Sequence, residues 1–201
     1  MRLTKLQQNK GYSLIETMVA ISIFLIIVTT GVAAVLNVNY INRKTKDIRS
    51  IMDNLSFIME EMSRNIRTGY NYHCELAGSP LSNITTPESC QLGYAIAFEE
   101  ARGNPELDSD QWIYRVQGSP LKLSKSIDGG VTFTDLNVPE ITLDSNSGFM
   151  VLGAPPPGDP YRDTNQPMVV LRLSGKIAHQ GIETPFSLQT TVTQRVVDVE
   201  Q

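Results

Sequence analysis

Two histidines and two cysteines are all that 201 residues supply of the side chains most used for metal binding and nucleophilic chemistry. His73 and His179 stand more than a hundred residues apart and read as exposed loop residues. There is no Gly-rich phosphate loop, no Gly-x-Ser-x-Gly elbow and no His-Glu-x-x-His helix. The commonest nucleotide-binding, hydrolase and metalloprotease classes therefore have no foothold, and the chain reads as a non-enzyme without cofactor or metal. Turn-forming residues are missing over an unusually long stretch: no proline falls between Tyr12 and Thr68, and neither proline nor glycine between Asn39 and Arg67. That excludes an ordinary turn there. The net charge of -4 gives no overall attraction for nucleic acid. Arg2, Lys5 and Lys10 form a basic start with no acid among them, ahead of a more acidic remainder. No internal repeat or low-complexity tail is present.

The dominant feature that is present is an apolar run from Leu14 to Leu36, interrupted by one charge, Glu16. As a helix it spans roughly 34 Å, enough for a bilayer core of about 30 Å. It exceeds the 7–15 apolar residues, roughly, of a secretory signal, and no Ala-x-Ala cleavage site follows. The run is expected to stay with the protein. The basic flank predicts a cytoplasmic N-terminus, with residues after about 37 outside.

Past the run, Ile41, Ile48, Ile51, Leu55, Ile58, Met62 and Ile66 recur at helical spacing, with charged residues between them. One helix from about Tyr12 to Thr68 follows, apolar all round in its first half and amphipathic in its second, with Gly69 as its stop. At roughly 85 Å it is longer than a single globular unit covers. The stripe fits either packing on a sheet or a coiled-coil seam, and the β segments downstream favour the sheet.

Residues 70–93, with Gly78, Pro80 and Pro87, read as a long connecting loop. Strand signals then follow in series: Tyr94–Phe98, Gln111–Val116, a hairpin over 121–136 turning at Asp128-Gly129, and a second strand–turn–strand over 140–153 turning at Ser145–Gly148. The stretch 153–167, with three consecutive prolines, reads as a surface loop. The longest β segments, 168–178 and 186–197, come last. Strands without intervening helices imply an antiparallel sheet, so the class is α+β, with the long helix packed on that sheet.

Cys74 and Cys90 both fall in the part expected outside, where an even count favours a disulfide. Such a bridge would stabilise the fold by roughly 3 kcal/mol. Free or metal-binding thiols are the other reading, with His73 as thin support. Glu106, Asp108 and Asp110 read as a solvated acidic loop; their oxygens could also hold Ca²⁺, without EF-hand spacing. Asp159, Arg162 and Asp163 form a weaker cluster of the same kind. Asn83-Ile84-Thr85 matches a glycosylation acceptor. Arg102, Arg115, Lys122, Lys125, Arg162, Arg172 and Lys176 are scattered and define no basic patch.

Glu16 is the outlier. A carboxylate costs about 2.5–3.5 kcal/mol at mid-bilayer. Its bland reading is an interfacial residue whose charge suits the start of a helix. Yet it belongs to the string Lys10-Gly11-Tyr12-Ser13-Leu14-Ile15-Glu16, between a basic leader and the apolar run. That string resembles the class III signal of type IV prepilins and pseudopilins. The resemblance implies cleavage by the prepilin peptidase after Gly11, N-methylation of the new N-terminus at Tyr12, and Glu16 as the carboxylate that meets a neighbour's amine during assembly. It implies a pilin-like fold, with residues 1–11 a cleaved leader, 12–36 a transmembrane and assembly helix, 37–68 its amphipathic continuation and 69–201 an extracytoplasmic β domain. The implied partners are other pilin or pseudopilin subunits, an inner-membrane assembly platform and membrane lipid. The protein would sit in the bacterial cytoplasmic membrane, single-pass, and then in an extracytoplasmic filament. The absence of a helix proline, the irregular loops and the ending "FSLQTTVTQR" are most similar to a minor pilin or minor pseudopilin. The competing functions are a single-pass, signal-anchored enzyme and a filament-tip module for DNA or adhesion.

Overall fold

A computed structural model describes residues 11–155, 165–179 and 181–195. The leader residues 1–10, the cluster Asp159, Arg162 and Asp163, and the end of the last predicted strand lie outside these. The chain divides into two units, one ending at Asp47 and one beginning at Ile48.

α1, Leu14–Thr68, is one helix of 55 residues. Its start is set by Ser13, whose carbonyl accepts the amides of Glu16 (3.1 Å) and Thr17 (3.2 Å). With no proline in the run, nothing removes a ladder donor. Hydroxyls within the apolar stretch donate to the helix's own carbonyls, as from Ser22 to Met18 and from Thr30 to Ile26, which leaves no side-chain donor unpaired in an apolar setting. Every residue from Gly11 to Tyr40 is exposed.

In the second unit the amphipathic stretch of α1 covers a nine-stranded sheet whose ladders are all antiparallel. Leu55, Ile58, Met59, Met62 and Ile66 are buried. The predicted stripe is therefore used from Ile51 onward, whereas Ile41 is exposed. Against it stand Tyr72, Phe98 and Tyr114, with ring centroids about Phe98 at 6.3 Å and 5.9 Å. Polar contacts fix the docking: Asn65 Nδ2 donates to the Tyr114 hydroxyl (2.9 Å), Lys125 pairs with Glu61 (2.9 Å), and the Tyr72 hydroxyl reaches the Ile66 carbonyl (2.7 Å). Burial pushes the Tyr114 hydroxyl up to about 12 and the Tyr72 hydroxyl higher still, so both remain neutral, Tyr72 as a donor and Tyr114 as the acceptor of Asn65.

The helix stops at Thr68, and the amide of Gly69 is shared by the carbonyls of Asn65 and Ile66. Gly69 is needed for space, not for a left-handed cap: a Cβ there would overlap the Phe98 ring and lie 2.9 Å from the Glu99 carbonyl oxygen. The left-handed residue is Asn71, at φ 56°, whose side chain donates to the Thr85 carbonyl.

The strands are β1 (Tyr70–Leu76), β2 (Cys90–Glu99), β3 (Trp112–Gln117), β4 (Lys122–Ser126), β5 (Thr134–Asp135), β6 (Ile141–Leu143), β7 (Gly148–Leu152), β8 (Met168–His179) and β9 (Ile182–Thr193). One expectation needs correction. Residues 70–93 are not one loop: β1 pairs with β2 from Tyr70↔Glu99 to Leu76↔Gly93. β1 buries three consecutive residues, Tyr72, His73 and Cys74, so it lacks the alternation by which a half-buried strand is recognised. The strand–turn–strand over 140–153 is present as β6, a turn and β7, but the two strands do not pair with each other. Both pair with β8, β6 at residues 175–177 and β7 at 168–172. The intervening residues bulge, and the Ser147 hydroxyl fills the gap, donating to the Ser174 carbonyl (2.8 Å) and accepting its amide (3.0 Å). The hairpin at Asp128-Gly129 forms, with Gly129 and Gly130 at positive φ.

Candidate assembly site

Gly11 and Tyr12 precede the first turn of α1, and Glu16 lies within it. A Cβ at Gly11 would meet nothing within 4 Å among the described residues, and its φ is not left-handed. The fold of this chain therefore gives no reason for glycine at that position. Tyr12 is 82% exposed. The Glu16 side chain has no hydrogen bond or ion pair among the described residues, and around it Leu14, Ile15, Met18 and Val19 are exposed. An apolar surface running this far exceeds what soluble monomers leave in water. α1 is long and apolar enough to cross a membrane. The arrangement is an unpaired carboxylate at the positive end of a helix dipole, set in a surface built for lipid or for other apolar helices.

Residues 6–32 match the model of the prokaryotic N-terminal methylation motif. The chain is type IV pilin-like. The matched segment contains Gly11, Tyr12 and Glu16 and extends through the apolar run. Neither the curated proteins nor the solved structures give a match to the chain. The motif and the apolar helix support membrane anchoring and a pilus-like filament. That motif implies processing by prepilin peptidase and assembly with other pilin subunits.

The remaining sequence-predicted residues lie in the second unit of the pilin-like chain. A disulfide joins Cys74 of β1 to Cys90 of β2, with Cα atoms 5.7 Å apart, inside the usual range. Gly93 lies over it; a Cβ there would come within 2.9 Å of the Cys90 sulfur. His73 is not an exposed loop residue. It is buried in β1, its Nδ1 2.7 Å from the Thr86 carbonyl and its Nε2 3.2 Å from Glu75. The misreading of β1 as loop hid this. Asn83 is exposed at positive φ, at the edge of a turn. Among the described cations, Lys122 pairs with Asp135, Lys125 with Glu61 and Lys176 with Glu183, and the Arg115 guanidinium stacks 3.2 Å from the centre of the Phe133 ring; Arg162 lies outside the described residues. Glu106 and Asp108 are exposed, as a solvated loop requires. Asp110 is half-buried beside two polar residues not singled out from the sequence, Glu99 and Gln111. Their signal was a carboxylate and an amide where two apolar strands meet that loop.

Proposed function

We propose that the chain is a minor subunit of a type IV pilus-like filament, a minor pilin or pseudopilin that primes or tips it. Prepilin peptidase cuts after Gly11, Tyr12 becomes the N-methylated N-terminus, and residues 1–10 are lost with Gly11. The observation that carries this reading is Glu16: a carboxylate without a partner among the described residues, in an exposed apolar surface, five residues after a glycine for which those residues give no structural reason. A partner from outside the chain accounts for both. The peptidase needs an unencumbered backbone at Gly11. The amine of a neighbour's Tyr12 neutralises Glu16 where apolar helices exclude water, and that pairing fixes the stagger between subunits. The N-terminus lies in the cytoplasm, the helix crosses the bacterial cytoplasmic membrane, and the unit beyond it lies outside. Minor status rests on the absence of a helix proline and on the irregular loops.

The test replaces Glu16 with Gln or Val and measures processed protein in sheared filaments relative to membranes. Both variants should be cut normally and fold normally, yet enter filaments poorly, because the unpaired buried amine costs about 3–5 kcal/mol. Val also inserts into lipid more easily than Glu, so lost assembly cannot reflect lost insertion. Wild-type incorporation of both variants would refute the pairing. Mass analysis of the membrane-bound protein should find methylated Tyr12 first; retention of residues 1–11 would favour a signal-anchored protein instead. A Gly11→Leu variant should remain unprocessed.

A further inference from the structure

We propose that Glu99, Asp110 and Gln111, closed over by the loop 100–110, bind a single hard divalent cation such as Ca²⁺. The site stands apart from the N-terminal segment and does not depend on the proposed function. The β2–β3 ladder pairs Ala97 with Ile113 and Phe98 with Trp112. Its continuation sets Glu99 against Gln111, while the β1–β2 ladder sets Tyr70 against Glu99. Glu99 and Gln111 are each 0% exposed. Both carboxylate oxygens of Glu99, both polar atoms of the Gln111 amide and Oδ1 of Asp110 are buried without a hydrogen-bond partner. The Glu100 amide approaches Glu99 without reaching hydrogen-bond geometry.

The loop is held down on these groups. The Tyr70 hydroxyl donates to the Gly103 carbonyl (3.0 Å), and the Asn104 amide donates to Asp110 Oδ2 (3.0 Å). A Cβ at Gly103 would fall on the Glu99 carboxyl group, so glycine there lets the backbone close over the acid. No lysine or arginine among the described residues pairs with Glu99 or Asp110.

Buried polar groups in native proteins are nearly always satisfied, and a fully buried carboxylate beside a half-buried one needs compensation. A water would leave the like charges together. A single proton would neutralise one of them and donate to one acceptor only, leaving the other of Asp110 Oδ1 and Gln111 Oε1 without a donor. A divalent cation answers four oxygens and both charges at once. The donor set is oxygen alone, which selects Ca²⁺ or Mg²⁺ over softer metals. No group of three or more His, Cys, Asp or Glu suited to a metal occurs among the described residues. Two carboxylates and one amide, completed by backbone carbonyls and water, suit the weak class of extracellular sites, with dissociation constants of about 10⁻⁴–10⁻³ M. Glu106 and Asp108, exposed on the same loop, are not part of the site.

The test uses the full-length chain in detergent micelles and reads its thermal midpoint in chelator and in about 5 mM CaCl₂, above the affinity expected. Calcium should raise the wild-type midpoint by about 4 °C. Glu99→Gln and Asp110→Asn should abolish the rise and, in chelator, melt at or above wild type, because each removes one of two like charges. The exposed double change Glu106→Gln with Asp108→Asn should keep the rise. Equilibrium dialysis should find one Ca²⁺ per wild-type chain and none on Asp110→Asn. Absence of a wild-type response to both Ca²⁺ and Mg²⁺ would overturn the proposal. So would a response that survives Glu99→Gln combined with Asp110→Asn, or one that the exposed pair alone removes.

Discussion

The two halves of α1 share one backbone helix and meet opposite surroundings. From Leu14 to Leu36 the residues are apolar all round, and none is buried by this chain. From Ile51 to Ile66 apolar residues alternate with charged ones at helical spacing, and five are buried against the sheet. The second half is stabilised by its own chain, each buried side chain contributing about 1.5–3 kcal/mol. The first half gains nothing from its own chain and takes its environment from lipid or from other subunits. Hydrophobicity alone therefore does not say which stretch forms the core; the periodicity does, since a stripe needs one partner and a sleeve needs a surrounding medium.

The sharpest way to break this contrast is to truncate one residue in each half and measure unfolding of the outer unit in detergent. Leu55→Ala or Met62→Ala should lose about 2–5 kcal/mol, whereas Ile23→Ala or Leu25→Ala should leave that transition unmoved. Equal losses from both halves would end the distinction.

The disulfide belongs to the buried region's account. Converting both Cys74 and Cys90 to Ser should cost roughly 3 kcal/mol by releasing the loop between them, read as a lower denaturant midpoint, with membrane anchoring unchanged. Protection of both thiols from maleimide without prior reduction is the companion measurement.

A pH scan in chelator tests the acid at the end of β2. Burial first, then the charges of Asp110 and Glu100, push Glu99 up to about 7, while the Glu100 amide pulls the other way. Tyr70 also faces it. The folded state thus holds its proton to higher pH than the unfolded one. Stability is full below about pH 4.5, falls as pH rises towards 7, and is level above that, with a total change on the order of 3 kcal/mol. Glu99→Gln should flatten this slope; an unchanged slope would place the titration elsewhere.

The smallest effect expected is at the polar seam between helix and sheet. Tyr114→Phe removes the acceptor of Asn65 and should cost about 1 kcal/mol, without altering processing or membrane association.

Much of the fold was legible because it rests on local periodicity. The absence of proline and the three- and four-residue steps through Leu55, Ile58, Met62 and Ile66 specify the helix to within two residues of its observed start. The alternation in "QWIYRV" and the Asp128-Gly129 turn specify a strand and a hairpin. β1 was not legible, because a strand buried through Tyr72, His73 and Cys74 has no two-residue period. The segment 140–153 kept its two strands but changed partner: turn residues fix where a chain bends, not which neighbour its edges meet.

The sequence by itself determined the N-terminal segment, where glycine, tyrosine and glutamate stand at set places before a long apolar run. The helix period and the medium around it act locally, so no distant residue had to be known. Only the tertiary structure decided that Gly69 is there to admit the Phe98 ring, that Ser147 bridges to Ser174, and that Glu99 and Gln111 are both buried opposite one another at the end of the β2–β3 ladder. Each of these depends on register between strands far apart in the chain, and register is set by the packing of the whole sheet rather than by the residues that it brings together.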